Sequence, residues 1–315
     1  MSFDHSISRR NVFKGAGGLA VASALGAGAA LGATTPAHAA GLDVVEHQTY
    51  GRMEYYKVST PSIAWKPRVN VLLPDGYDSG RRYPVLYLLH GGAQNFMKFD
   101  KEDDIRGLTA GRDLIVVMPD GGIAGWYCNP VTANLGPRNW ETFHIEELIP
   151  WVDATFRTFP EQAGRAVSGF SMGGFGALKY TAKYYGHFAS VSSHSGPASL
   201  RSINGAVAHW ANASSTIDLG GGTVYGTPWD EARVSADNPV ERIESYRGKR
   251  IFLVSGTDPD VNETFVLPTQ RTFGGALEAA GIPHERYEDS GTHFVRPERL
   301  QQDIDGIIAH LTKAG

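Results

Sequence analysis

The clearest indication of the fold is the stretch Arg165-Ala166-Val167-Ser168-Gly169-Phe170-Ser171-Met172-Gly173-Gly174. Its first six residues predict a short apolar strand, and residues 172–183, with small side chains in the first turns, predict a helix that follows at once. A strand-to-helix turn this sharp forces Ser171 into a strained backbone conformation, and side chains two positions before and after it would collide. Glycines at 169 and 173 remove that collision. The stretch therefore predicts a serine exposed on a tight turn of an α/β protein.

The pattern G-x-S-x-G is typical of a nucleophilic serine, with a helix N-terminus beside it that favours developing negative charge. Such a serine needs a general base, and in this kind of fold the chain order is nucleophile, acid, base. His293 fits by order and position, because it follows the strand-like segment 285–288 and precedes the last helical pattern. The other histidines weighed for this role fit less well by position: His90, His187, His194, His284 and His310.

The acid is expected in the segment 256–263, which follows the predicted strand 251–254. A carboxylate there would fix the tautomer of the imidazole and stabilise the imidazolium ion. Asp258 lies closest to the strand end and is the first choice. Glu263 lies farther along but has a longer side chain, and Asp260 falls between them. The sequence leaves these three alternatives open.

An oxyanion hole needs two backbone N–H donors. One is expected at Met172, the residue after the serine. The other is expected in the glycine-rich loop after the strand 85–89, where Gly92 is the first choice and Ala93 the second. His90 opens this loop and is expected to orient it rather than to act as a base.

Short β-branched runs alternate with helical periodicity along residues 40–315, which predicts one α/β domain with a mostly parallel central sheet and helices on both faces. The first two strands are expected to be antiparallel. The predicted strands are 53–58, 68–73, 85–89, 114–118, 166–169, 189–192, 251–254 and 285–288. Apolar stripes at helical spacing predict helices within 145–156 and 300–311. Residues 196–249 interrupt the alternation and predict a cap-like insertion that faces the substrate at the carboxyl edge of the sheet.

Residues 1–39 have the pattern of a cleaved export signal. Arg9-Arg10 and Lys14 precede an uncharged stretch rich in Ala and Gly, and Ala37-His38-Ala39 fits a cleavage site. Paired arginines before a weakly hydrophobic segment resemble a twin-arginine signal. We therefore expect export from a bacterial cell, to a secreted or cell-wall location, without a transmembrane anchor.

The composition disfavours several classes of partner and cofactor. The formal net charge is −4, so neither nucleic acid nor an anionic lipid surface is expected as a partner. Cys128 is the only cysteine, which excludes an intrachain disulfide and is expected to be a buried, passive thiol. No metal-ligand spacing and no phosphate-binding loop pattern occurs, and we expect neither a metal nor a cofactor.

Taken together, these residues resemble the esterase D and antigen 85 family, which includes S-formylglutathione hydrolases, feruloyl-type esterases and mycolyltransferases. The resemblance rests on Leu88-Leu89-His90-Gly91-Gly92, Trp140-Glu141-Thr142-Phe143, Gly169 to Gly174 and Gly291-Thr292-His293. It implies the α/β-hydrolase fold and acyl transfer by a Ser-His-acid triad. Mycolyltransferases have a glutamate preceded by Asn as the acid, similar to Asn262-Glu263, whereas the esterase branch has an aspartate near the strand, similar to Asp258.

The sequence also departs from the mycolyltransferase branch. Gly92-Ala93-Gln94 lacks the arginine with which that branch binds trehalose, and Cys128 stands alone where the branch has paired cysteines. The turn at Ser171 resembles the esterase branch more closely. These differences favour ester hydrolysis over trehalose mycolylation.

Three functions follow from these patterns. The first is a secreted serine esterase that hydrolyses small-molecule, lipid or sugar esters through an acyl-enzyme. The second is an acyltransferase, in which a sugar or glycerol hydroxyl takes the place of water. The third is a non-enzymatic protein that binds the cell wall or an extracellular matrix. The ordered serine, acid and histidine argue against the third, because binding alone does not require them.

Overall fold

The quoted stretch lies at the centre of a nine-stranded sheet in a computed structural model that describes residues 41–313. The strands are β1 (Asp43–Tyr50), β2 (Met53–Ser59), β3 (Arg68–Leu72), β4 (Val85–Leu89), β5 (Ile115–Pro119), β6 (Arg165–Phe170), β7 (Ser190–His194), β8 (Arg250–Gly256) and β9 (Glu285–Asp289). Their spatial order is β1-β2-β3-β5-β4-β6-β7-β8-β9. The predicted export signal, residues 1–39, lies outside the described residues.

Strand direction confirms the predicted α/β class with a mostly parallel sheet. The pairs β1–β2, β2–β3 and β3–β5 are antiparallel. All pairs from β5 through β4 and β6 to β9 are parallel. The strand that carries the serine at its carboxyl end, β6, lies between β4 and β7. The loops that follow these parallel strands therefore meet at one edge of the sheet.

Helices connect the parallel strands and cover the sheet. The α-helices are α1 (Lys98–Lys101), α2 (Ile105–Leu108), α3 (Trp140–Thr142), α4 (Ile149–Thr155), α5 (Met172–Lys183), α6 (Ser202–Asp218), α7 (Glu231–Asp237), α8 (Glu263–Ala279) and α9 (Pro297–His310). A π-helix, Phe143–Leu148, joins α3 to α4, and 3-10 helices span Gln162–Gly164 and Pro239–Tyr246. Helix α5 has the bounds that the sequence predicted.

The two faces of the sheet have separate apolar cores, as β4 illustrates. Consecutive side chains of a strand point to opposite faces. Leu86 and Leu88 belong to a buried cluster with Ile304 of α9. Tyr87 and Leu89 belong to the cluster that includes apolar residues of α4 and α5. Helices therefore cover both faces of the sheet, as the sequence predicted.

Strand β1 and helix α8 are among the elements that the sequence did not predict. Strand β1 has the sequence DVVEHQTY, and all its residues are exposed, because it is an edge strand with little apolar side chain to bury. Helix α8 contains Pro268 in its interior, a residue that normally argues against a helix. The second omission affects the functional site, because α8 begins at Glu263.

The segment between β7 and β8, predicted as an insertion from about 196 to 249, contains α6, α7 and a 3-10 helix. Salt bridges join it to α5. The Lys179 ammonium group is fully buried and lies 2.6 Å from Glu141 and 3.5 Å from Asp237, the last residue of α7. Lys183 lies 2.6 Å from Glu141 and 2.8 Å from Asp237. Burial raises the pKa of the Glu141 carboxyl, but the two lysines outweigh it and bring the pKa to about 2.

Candidate active site

Ser171 lies on the strained turn between β6 and α5. Its backbone angles are φ 55° and ψ −119°, a region that residues with a side chain rarely occupy. A Cβ atom on Gly169 would overlap the backbone of Gly173, and one on Gly173 would overlap the carbonyl group of Leu89. The Ser171 N–H donates to the carbonyl oxygen of His194, 2.8 Å away, which holds the turn against β7. The two glycines are therefore required by close backbone approach, as predicted.

His293 lies directly against the serine. Its Nε2 atom is 2.8 Å from Ser171 Oγ, and its Nδ1 atom is 3.1 Å from Oε1 of Glu263. The Phe170 ring packs on the imidazole with a centroid distance of 4.8 Å. With Nδ1–H donating to the carboxylate, Nε2 is free to accept the serine proton. The three side chains form one continuous hydrogen-bonded row.

The acid position corrects the preference for Asp258. Glu263 lies in the first turn of α8, is only 3% exposed and contacts His293. Asp258 is exposed, and its carboxylate makes no hydrogen bond or ion pair with the described residues. The preference failed because the start of α8 brings Glu263 back toward the sheet, so that distance along the chain from β8 was a poor guide. The second Glu263 oxygen, Oε2, is buried without a partner in the described part of the chain.

Asp260, the third candidate, does not contact the imidazole but binds the backbone around it. Its Oδ1 atom accepts from the N–H groups of Asn262 and Glu263, both at 2.7 Å. Its Oδ2 atom accepts from the backbone N–H of His293 at 2.6 Å. Asp260 therefore joins the start of α8 to the loop that carries the histidine.

A second residue, Arg296, binds the backbone of the histidine loop. Arg296 is 5% exposed, and its Nη2 group donates to the carbonyl oxygens of Ser290, Gly291 and Thr292 at 3.2–3.4 Å. Its Nη1 group donates to the carbonyl oxygen of Phe294. No sequence motif marks Arg296, and it was missed for that reason.

The loop after β4 contains both residues that the sequence suggested as the second oxyanion donor, and their hydrogen bonds differ. The Ala93 N–H donates to the carbonyl oxygen of Ile123 at 2.7 Å and is therefore occupied. The Gly91 N–H donates to Oε1 of Gln94 at 2.9 Å. The Gly92 N–H makes no hydrogen bond within residues 41–313, and the residue is exposed. Met172 is the first residue of α5, where backbone N–H groups have no partner within the helix.

His90 holds this loop, which agrees with the orienting role expected from the sequence. Its Nδ1 lies 2.8 Å from the carbonyl oxygen of Gly91, and its Nε2 accepts from the Gly121 N–H at 2.8 Å. These partners assign a neutral imidazole with the proton on Nδ1. His194, another candidate, is bound by the buried carboxylate of Asp303 at 3.0 Å, on the face of the sheet that α9 covers.

A cavity of about 470 Å³ opens beside Ser171 and His293. One wall is apolar and is formed by Trp126 together with Trp210 and Ile217 of α6. The Trp126 Nε1–H donates to Ser214 Oγ at 2.9 Å, which attaches α6 to Trp126. The remaining lining residues are Gly92, Ala93, Gln94, Ile123, Ala124, Phe170, Met172, Ser214 and Asn262. The predicted insertion therefore supplies part of the cavity wall.

Cys128 is buried, and burial raises the pKa of its thiol to about 11, so it is a passive thiol. Among residues 41–313, no group of three or more His, Cys, Asp or Glu side chains is arranged to hold a metal ion. None of the helices in that part of the chain has the length and hydrophobicity of a membrane span.

The chain is similar to known esterases. Residues 60–306 match the model of the family described as "Putative esterase". The esterase Rv1288 of Mycobacterium tuberculosis strain H37Rv is 63% identical over 287 residues, which cover 87% of this chain. The chain spans only 63% of the length of that relative.

Two solved structures share the fold at low sequence identity. The S-formylglutathione hydrolase of Agrobacterium tumefaciens superposes with a TM-score of 0.69 at 17% identity, over 86% of this chain and 100% of that one. MPT51 of Mycobacterium tuberculosis gives a TM-score of 0.69 at 19% identity, over 85% of this chain and 99% of that one. The α/β-hydrolase fold is thus confirmed, and the chain belongs to the esterase family that its sequence resembles.

Proposed function

We propose that this protein is a serine carboxylic-ester hydrolase in which Ser171 is the nucleophile, His293 the general base and Glu263 the acid. The observation that carries the proposal is the continuous hydrogen-bonded row of these three side chains at the mouth of a cavity of about 470 Å³. Membership of the esterase family supports the same chemistry. The row also argues against a purely binding role, which would need no such alignment.

The proposed reaction has two halves. Ser171 Oγ attacks the acyl carbonyl while His293 Nε2 takes its proton, and the N–H groups of Met172 and Gly92 donate to the negative carbonyl oxygen. The C–O bond to the alcohol then breaks as His293 protonates the leaving oxygen. Water, deprotonated by His293, then attacks the acyl-enzyme. The bond between the acyl carbon and Ser171 Oγ breaks, His293 returns the proton to Oγ, and the acid is released. Glu263 stabilises the imidazolium ion in both halves without taking its proton.

The proposed substrate is an ester with an apolar group bound against Trp126, Trp210 and Ile217. Two side-chain amides, Gln94 and Asn262, line the same cavity and are the polar groups available to the rest of the ester. A largely apolar cavity with few polar groups is the usual design for a small-molecule site. The proposal includes export in the twin-arginine manner, which rests on Arg9-Arg10 and the stretch that follows.

A second candidate function is acyl transfer to a hydroxyl group. It is favoured by one observation, that the carboxylate at His293 is Glu263 and not Asp258. The resemblance to mycolyltransferases associates a glutamate preceded by Asn with transfer, and Asn262 lines the cavity here. Hydrolysis and transfer share the catalytic row and differ only in what resolves the acyl-enzyme.

The assignments of nucleophile and base predict that removal of either side chain abolishes most of the esterase activity. Ser171→Ala and His293→Ala should each lower kcat on p-nitrophenyl acetate by about 10⁴-fold or more, because the row acts as a unit. The matched control is His284→Ala, since His284 lies outside the cavity and should be nearly silent. A folded Ser171→Ala protein that kept a tenth of the wild-type rate would contradict the assignment.

The acid assignment predicts a contrast between two neighbouring carboxylates. Glu263→Gln should lower kcat by about 10⁴-fold, because an amide at this position can hold the imidazole in the wrong tautomer. Asp258→Asn should change kcat by less than about twofold, since Asp258 is exposed and touches no catalytic group. Steady-state kinetics on the same ester measures both, and the opposite ranking would restore Asp258.

The choice between hydrolysis and transfer predicts a product ratio. With an acyl ester as donor and either glycerol or glucose as acceptor at high concentration, a hydrolase should release free acid as its main product. Mass spectrometry of the products gives the ratio directly. Acylated glycerol or glucose as the main product would identify a transferase and leave the catalytic row unchanged.

The apolar wall predicts control of acyl size by α6. Trp210→Ala should raise kcat/KM for octanoyl relative to acetyl p-nitrophenyl esters by about tenfold, because it enlarges an apolar cavity. His209→Ala is the matched control, since His209 is the adjacent residue of α6 but packs on Trp229, away from the cavity. An unchanged ratio in Trp210→Ala would show that the acyl group lies elsewhere.

A further inference from the structure

The carboxylate of Asp260 contacts two separate segments of the chain that meet at the proposed active site. One oxygen accepts from the backbone N–H groups of Asn262 and Glu263, where α8 begins. The other accepts from the backbone N–H of His293, in the loop between β9 and α9. Thr264 adds a further hydrogen bond between Asp260 and the start of α8, because its Oγ1–H donates to the Asp260 carbonyl oxygen at 2.6 Å.

These contacts affect the two residues that must stay aligned. The N–H of Glu263 and the N–H of His293 bind to opposite oxygens of one rigid, planar carboxylate. A single carboxylate therefore links the backbone of Glu263 to the backbone of His293. The side chains of the same two residues meet 3.1 Å apart, between Oε1 and Nδ1. A shift of either backbone would lengthen that hydrogen bond and move the imidazole from Ser171.

We propose that Asp260 is a positioning residue that sets the alignment of Glu263 and His293, an inference that rests on the proposed function. It touches neither the substrate nor the reacting atoms, and it acts through the backbone of the acid and the base. Misplacement of a catalytic group by about 1 Å can cost roughly 100-fold in rate. Loss of the hydrogen bonds that Asp260 accepts should lower the rate on that scale.

The charge of Asp260 suits this role. Partial burial raises the pKa of its carboxyl, but the three backbone N–H groups and the nearby His293 outweigh that effect and lower the pKa below its ordinary value. Asp260 is therefore ionised at neutral pH, and both oxygens act only as acceptors. The other carboxylate that faces His293 is Glu263, whose contact is with the ring and not with the backbone.

The variant Asp260→Asn tests the proposal at one atom. The amide keeps one oxygen acceptor but places an NH₂ donor opposite a backbone N–H donor. The hydrogen bonds either to the start of α8 or to the backbone of His293 are therefore lost. We expect kcat on p-nitrophenyl acetate to fall by roughly 10- to 100-fold with KM nearly unchanged. The acid limb of the kcat/KM profile should move to lower pH, because loss of the negative charge makes protonation of the imidazole less favourable.

The matched control is Asp258→Asn, an exposed position in the same loop that should keep the wild-type kcat and pH profile. Asp260→Ala, which loses the hydrogen bonds at both carboxylate oxygens, should lower kcat more than Asp260→Asn does. A thermal unfolding transition of each variant shows that it is folded. Wild-type kcat and pH profile in Asp260→Asn would overturn the proposal while the esterase assignment stands. Absence of esterase activity in the wild-type protein would instead remove the proposed function itself.

Discussion

The arrangement of the site follows from the close approach of three backbones at Ser171. Strand β6 must turn into α5 within one residue, and the turn must pass the carbonyl group of Leu89 at the end of β4. Glycines at 169 and 173 make this approach sterically feasible, and the strained angles of Ser171 are the consequence. The same turn presents Oγ at the carboxyl edge of the sheet and directs the N-terminus of α5 toward the cavity.

The parallel sheet then brings the other groups to the same edge. The loop after β4 supplies the Gly92 N–H, the segment after β8 supplies Glu263, and the loop after β9 supplies His293. Hydrogen bonds within the protein hold each of these segments in place. His90 binds the loop after β4, and Asp260 binds both the segment that carries Glu263 and the loop that carries His293. The proposed site is thus organised by the protein's own hydrogen bonds, which is the condition under which such groups lower a barrier.

The sequence predicted the parts of this site that have local signals. The turn at Ser171 has a steric signature, and His293 has a fixed order relative to it, so the sequence could single out both as candidates and could predict the bounds of α5. The partner of His293 could not be identified, because a proline precedes α8 and another lies within it, and both hide the helix start that brings Glu263 to the imidazole. Asp260 and Arg296 bind only backbone groups, and no residue pattern reports a contact of that kind. Trp210 depends on how the insertion folds over the sheet, which is a long-range property.

If Ser171 is a nucleophile activated by its neighbours, as we propose, it should react covalently with a fluorophosphonate. The folded wild-type protein should react with a fluorophosphonate to give one adduct per chain, and peptide mass spectrometry should locate that adduct on Ser171. Labelling should be slowed strongly in His293→Ala, because the serine then lacks its base. An adduct on another serine, or no adduct on a folded protein, would contradict the account.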